Sequence, residues 1–303
     1  MQNRFYSASD LRARARAAIR TNPPTLLMLV FLASLPSLIS STVSTLTQGG
    51  SLSAQLYTLM MNAADSSSAS YDQLLSQLEA SLRSWVGSTE GITAIVTEVI
   101  VWLITPVLSL GLIASLLKLL RNEPVDYADV FCRMGCFFKA IGLKLLTGLK
   151  ILLWMLPGMA LSMASVLVLV WTRSSALYLL VFMAGMVLML VLGFRAALHY
   201  ILAETLLADS PAMGVRAALK ESVGCMRTRK LSYVSLYVSF IGWLLLANVA
   251  ELMLDSVSPV IGMVAGMVCS LLLSLYMNTA FTAFYMQEYL GNLPDGGIVQ
   301  KRM

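Results

Sequence analysis

Charged residues are scarce in this chain. Asp, Glu, Lys and Arg make up 12% of its 303 residues, while 58% are hydrophobic. A soluble domain carries about 25% charged residues, so a water-soluble globule is excluded. Histidine occurs once, at position 199, which rules out a histidine-rich metal centre. The G-x-S-x-G, H-E-x-x-H and Walker patterns are missing, and with them the common routes to hydrolysis and nucleotide chemistry. No catalytic residue, metal or cofactor is therefore assigned. The four cysteines, Cys132, Cys136, Cys225 and Cys269, fall in basic loops or inside an apolar run, which argues against a disulfide framework. Cys132 and Cys136 are spaced to share one helical face, but no histidine or second cysteine pair lies nearby to complete a zinc site. The net charge of +5 is spread among loops instead of gathered on one face, so nucleic acid is not an expected partner.

Long apolar runs are abundant. Stretches near 20 residues recur, each long enough to cross about 30 Å of hydrocarbon. The fold class expected is all-α, a polytopic transmembrane helical bundle of six spans with cytoplasmic amphipathic helices. A segment at 1–24 precedes a membrane domain at 25–290, and a polar tail covers 291–303. The spans are expected at about 25–44, 93–117, 145–171, 175–203, 231–254 and 260–286. The first apolar run, Thr25 to Val43, is too long for the h-region of a cleavable signal. A Ser-rich outer loop at 46–91 is nearly free of Lys and Arg. Within it, Tyr71, Leu74, Leu75, Leu78, Leu82, Trp85 and Val86 follow the helical period and predict a surface helix.

Lys and Arg set the orientation. Five lie in residues 1–24, six in 118–150, five in 204–230 and two in the tail, against only Arg83 and Arg173 in the opposite loops. Basic residues favour the cytoplasmic side, so both termini are expected there. Each odd-numbered span is preceded by a basic amphipathic stretch, at 8–20, 125–142 and 211–229. The first opens with a Ser7/Asp10 capping box, and its stripe of Leu11, Ala15, Ala18 and Ile19 would let it lie in the headgroup plane. Pro124 and Pro211 are placed for the first turns of the other two. The chain reads either as three repeated units of helix plus hairpin or as three similar solutions to one insertion problem.

Arg195 and His199, four residues apart, share a face of the fourth span. Arginine at the bilayer centre costs about 2.5–3.5 kcal/mol on insertion scales and normally faces the bundle interior. Arg195 therefore leads the ligand-binding candidates, with snorkelling to the inner headgroups as the alternative. If Arg195 is paired, Glu98 in the second span is the acidic partner to expect, while Glu251 and Asn248 near the outer end of the fifth span read as interfacial. Glu204, beside Tyr200, stands where the fourth span leaves the membrane, either as a ligand contact or as a partner of Arg216 or Lys220. Pro106 and Pro157-Gly158 would break their helices at mid-membrane, as in transporter sites, or serve packing. Arg12, Arg16, Arg20, Arg216, Lys220, Arg227, Arg229 and Lys230 are candidate lipid-headgroup contacts, each worth about 1 kcal/mol beside an anionic leaflet, with topology-setting charge as the alternative.

The pieces SASDLRARARAAI, GLIASLLKLLRNEPVDYADVF, ILLWMLPGM, RAALHYILAETLLADSPAMGVRAALKESVGCMRTRKLSYVSLYVSFIGWLLL and FTAFYMQEY resemble the bacterial membrane-protein family catalogued as domain of unknown function 975. More distantly, the chain resembles the membrane domains attached to some glycerophosphodiester phosphodiesterases. The resemblance implies an integral protein of the bacterial cytoplasmic membrane and carries over no site residues. The functional expectation is a non-enzymatic protein that binds or organises membrane lipid, anionic lipid included, or moves a small amphiphile. A secondary transporter or permease subunit, and a scaffold acting through the outer loop, are the alternatives.

Overall fold

Apolar runs of this length leave the backbone no hydrogen-bond partner but itself, which selects helix. The computed structural model describes residues 8–21, 23–46, 71–172, 175–227, 229–256 and 258–288, and every regular element among them is helical. The Ser7 capping box, residues 47–70 of the outer loop and the tail from 289 lie outside the described residues. In chain order the helices are α1 (Ala8–Thr21), α2 (Pro23–Leu46), α3 (Tyr71–Gly87), α4 (Thr89–Leu120), α5 (Phe137–Thr172), α6 (Ser175–Tyr200), α7 (Ala203–Asp209), α8 (Val215–Met226), α9 (Lys230–Asp255) and α10 (Pro259–Glu288). Among the described residues five helical stretches, Pro23–Val43, Thr89–Leu120, Ala176–Asp209, Lys230–Asp255 and Val264–Gln287, are long and apolar enough to cross a membrane.

The chain divides into two units, Met1–Leu32 with Pro106–Met303, and Ala33–Thr105. In the second unit α3 is the helix its apolar period predicts. Ser88 separates it from α4 and caps that helix, its hydroxyl accepting from the Gly91 N–H at 2.9 Å.

The first unit buries its core at one end. Leu11 and Ala15 of α1, Leu117 of α4, Leu206 of α7, Ala218 and Met226 of α8, Phe240 of α9 and Phe284 of α10 form one cluster. Val107, Ala140, Leu143, Leu207 and Leu219 form another. Away from these clusters the long helices expose Met163, Leu167, Leu180, Leu190, Leu245, Leu252 and Met253. So much continuous apolar surface has no place in water; with the five long apolar helices it identifies a membrane protein.

Four expectations are corrected here. Half of the apolar stripe of α1 meets protein and not lipid: Leu11 and Ala15 are buried, with α1 packed on α10 and α9, while Ala18 and Ile19 are half-buried. The helix expected at 125–142 is two 3₁₀ turns, Tyr127–Phe131 and Met134–Cys136, followed by the first turns of α5. Asp126 caps the first turn in a reciprocal box with Asp129, which closes a short helix where the basic period implied a long one. Cys132 ends the first 3₁₀ turn and Cys136 lies in the second, so they share no α-helical face. Pro106 and Pro157 do not break their helices, since α4 and α5 run through them. Gly158 packs instead: a Cβ there would stand 2.5 Å from the Met189 Cα of α6, and such close approach of backbones is how membrane helices associate.

Sharp stops separate the elements. Asn122 takes a left-handed φ of 61°. The Asn122 N–H then bonds Leu119 O and the Glu123 N–H bonds Lys118 O, each at 3.0 Å, the Schellman ending of α4, with Pro124 just beyond it. Pro124 and Pro211 thus lie in connections and not in first helical turns. Helix α6 ends at Tyr200, and α7 and α8 follow as short helices that turn Leu206, Leu207, Ala218, Leu219 and Met226 into the buried core.

Candidate functional site

The basic residues of 118–150 are engaged by the protein itself. Lys118 Nζ lies 2.5 Å from Asp129 Oδ1, and Asp129 Oδ2 accepts from the Asp126 N–H at 3.0 Å. Burial by itself would raise the Asp129 carboxyl, but the hydrogen bonds from Lys118 and Asp126 and the lysine charge outweigh it and hold it below its ordinary value. Arg121 Nη2 reaches Asp209 Oδ1 at 2.5 Å, while the Tyr285 hydroxyl donates to Asp209 Oδ2 at 3.0 Å. This clasp ties together the ends of α4, α7 and α10. One carbonyl left open where α7 stops and one just beyond it are also covered: Arg133 Nη2 donates to Ala208 O and Lys139 Nζ to Pro211 O, both at 2.7 Å. Cations there also meet the negative end of the helix. Lys150 Nζ sits 5.2 Å from the centre of the Tyr200 ring, within cation–π range.

Arg195 differs from all of these. It is exposed on α6 instead of buried, which corrects the expectation of an interior arginine. Because α6 ends at Tyr200, Arg195 stands five residues from the helix end, about 7–8 Å at 1.5 Å per residue. Its guanidinium makes no hydrogen bond or ion pair among the described residues. Glu98, its expected partner, belongs to the other unit, where it accepts from Ser40.

Arg195 and His199 are joined through the backbone: His199 Nδ1 lies 2.6 Å from the Arg195 carbonyl oxygen. That oxygen only accepts, so Nδ1 carries the proton. Nε2 then receives the Lys230 ammonium at 2.8 Å, giving a neutral ring and a charged lysine. Trp154 of α5 stacks on His199, with ring centroids 6.5 Å apart. The Arg195 charge is near enough to repel that of Lys230. Two like cations and an indole thus gather at the end of an apolar helix, and among the described residues no carboxylate pairs with either cation.

Glu204 is also repartnered. It pairs with neither Arg216 nor Lys220; Ser109 of α4 donates to one of its oxygens, and Lys144 Nζ of α5 stands 3.6 Å from the other. Glu204, Lys144, Thr147, Pro106, Leu110 and Leu143 help line a cavity of about 210 Å³ where α4, α5, α6 and α7 meet.

The remaining basic residues divide by exposure. Arg16, Arg20, Arg216, Lys220 and Arg227 are exposed. Arg12 turns back to the Ala8 carbonyl at 3.3 Å, and Arg229 and Lys230 are half-buried. Sequence reasoning missed Arg121, Asp209, Tyr285, Lys144, Ser109 and Trp154 as site or clasp residues. The one signal available for Trp154 was its spacing of four from Lys150, which puts both on the face of α5 that meets Tyr200 and His199. Among the described residues no three His, Cys, Asp or Glu side chains gather as a metal site.

No curated protein and no solved structure matches the chain, so the distant likeness to glycerophosphodiester phosphodiesterase membrane domains gains no support. A family model does match, over residues 1–288, taking in the α6–α8 stretch that holds Arg195, His199 and Glu204. The chain belongs to the family described as protein of unknown function DUF975.

Proposed function

We propose that this chain is a six-span, non-enzymatic protein of the bacterial cytoplasmic membrane whose basic end binds anionic lipid headgroups. The sixth span is α5. Its 36 residues measure about 54 Å, residues 151–171 contain no Asp, Glu, Lys or Arg, and α5 packs along α6. The surplus of basic residues in 1–24, 118–150 and 204–230 favours that end, and both termini, on the cytoplasmic side.

One observation carries the lipid reading. The exposed Arg195 guanidinium, without a partner among the described residues, lies beside Lys230 at the end of an apolar helix. A cation so placed extends toward the headgroup region, and a phosphodiester from the lipid supplies the anion that no described residue does. Trp154 adds an aromatic ring of the kind that settles at membrane interfaces.

The test is thermal unfolding in neutral detergent with phosphatidylglycerol or phosphatidylcholine added. Stabilisation by phosphatidylglycerol alone is expected. It should weaken in Arg195→Ala and in Lys230→Ala, each removing about 1 kcal/mol of attraction, or about fivefold in affinity. Equal response to both lipids, or no change in either variant, refutes the reading.

A further inference from the structure

The cavity at Glu204 lies apart from the Arg195–Lys230 pair and presents a different chemistry. Two opposite charges face it. Lys144 Nζ makes no hydrogen bond among the described residues, and Glu204 Oε2 accepts none. At 3.6 Å their ion pair is longer than a hydrogen bond. The other Glu204 oxygen is fixed by Ser109, which orients the oxygen that faces Lys144, and apolar side chains of α4 and α5 supply much of the remaining wall.

A purely anionic guest would meet Glu204, and a purely cationic one would meet Lys144. We propose that this cavity binds a zwitterion, its ammonium on Glu204 Oε2 and its anionic oxygens on Lys144 Nζ. The ammonium is a primary one. Glu204 offers an acceptor that an N–H group satisfies and a quaternary nitrogen does not. The Tyr200 ring, the aromatic surface that would hold a quaternary cation, is already occupied by Lys150. At about 30 Å³ per water, the 210 Å³ of space equals about seven waters, enough for a phosphoethanolamine-sized group but not for a whole lipid. The matching chemistry is therefore an aminophospholipid headgroup or a free small zwitterion. The proposal rests on the chain being a lipid-facing membrane protein, and it names a second lipid class beside the anionic one.

The experiment uses the full chain in nanodiscs of phosphatidylcholine, titrated with phosphatidylethanolamine and, separately, with soluble phosphoethanolamine, following binding by Trp fluorescence and native mass spectrometry. Phosphatidylethanolamine is expected to bind and added phosphatidylcholine is not. Glu204→Gln, which keeps the Ser109 contact, should weaken binding about tenfold (about 1.4 kcal/mol). Ala197→Leu fills the cavity from the α6 wall without touching either charge, and should also abolish binding while the protein still melts cooperatively. If soluble phosphoethanolamine binds with the same dependence on Glu204, the guest is a free zwitterion; if only the lipid binds, it is a headgroup. No preference for phosphatidylethanolamine over phosphatidylcholine, or equal binding by both variants and wild type, overturns the proposal. Either result leaves the phosphatidylglycerol response of Arg195 standing, so the two readings fail separately.

Discussion

Asp209→Asn is the sharpest probe of how the basic end is held together. The Asp209 side chain is 12% exposed and that of Arg121 28%. Asparagine keeps the shape of the residue and an acceptor for the Tyr285 hydroxyl, but it removes the charge facing Arg121. A hydrogen bond to a charged group is worth about 1.5–3 kcal/mol, and stranding one member of a buried pair costs about 3–5 kcal/mol. Because both side chains keep some access to solvent, the loss should fall at about 2–3 kcal/mol. The orphaned guanidinium accounts for most of that loss, so adding Arg121→Met should recover part of it. The assay is reversible unfolding in mixed micelles across the double-mutant cycle, where a coupling of at least about 1 kcal/mol is expected. A variant within about 0.5 kcal/mol of wild type, or additive single effects, would show that the clasp does not hold α4, α7 and α10 together.

Three further outcomes follow from individual contacts. Asp129 is held below its ordinary value, so its contribution is fully present above about pH 3.9, the unperturbed value, and is lost as pH falls through its lower folded value. Protection from hydrogen exchange at residues 127–131, taken relative to the intrinsic rate at each pH, should fall on acidification in wild type and be low at every pH in Asp129→Asn; coincident curves would refute the assignment. Burial, reinforced by the Glu221 charge, pushes the Cys225 thiol up to about 11, and the thiolate is the reactive form. Maleimide should therefore label exposed Cys132 well before Cys225 at pH 7.5, and equal rates would contradict the structure. A Cβ at Gly111 would overlap the Val130 carbonyl oxygen, so Gly111→Ala should cost at least about 1–3 kcal/mol, read as a lowered melting temperature; an unchanged melt would argue against that close approach.

The long helices were legible because each is a run of apolar residues that fits only one structure in lipid. The α3 helix at 71–87 and the break at Ser210–Pro211 were legible for equally local reasons, a clear period and a proline after a serine. The 3₁₀ turns at 127–136 were not. Their basic period reads as a helix, and what stops it is the Asp126–Asp129 box together with the Val130 backbone resting on Gly111, the second a contact between distant segments. The partners of the charges were equally hidden. Ser109 and Glu204 are 95 residues apart, and Arg121 and Asp209 are 88 apart. Neither pairing follows from a helical period. Arg195 stood out in the sequence as a cation within an apolar run, but the side it faces depends on how α6 packs against α5. The close contact of Gly158 with Met189 belongs to that packing and has no signature in the spacing of Arg195 and His199.

On the proposed reading, Arg195 and Lys230 take from the membrane the anion that no described residue supplies. Mass spectrometry of the lipids that co-purify with the full chain in mild detergent tests it most directly, comparing wild type, Arg195→Ala and Arg16→Ala. Anionic phospholipid should be enriched over the bulk membrane in wild type and in Arg16→Ala, and should fall about fivefold toward the bulk ratio in Arg195→Ala, as expected for about 1 kcal/mol per cation. The same lipid composition in all three proteins, equal to that of the bulk membrane, would contradict it.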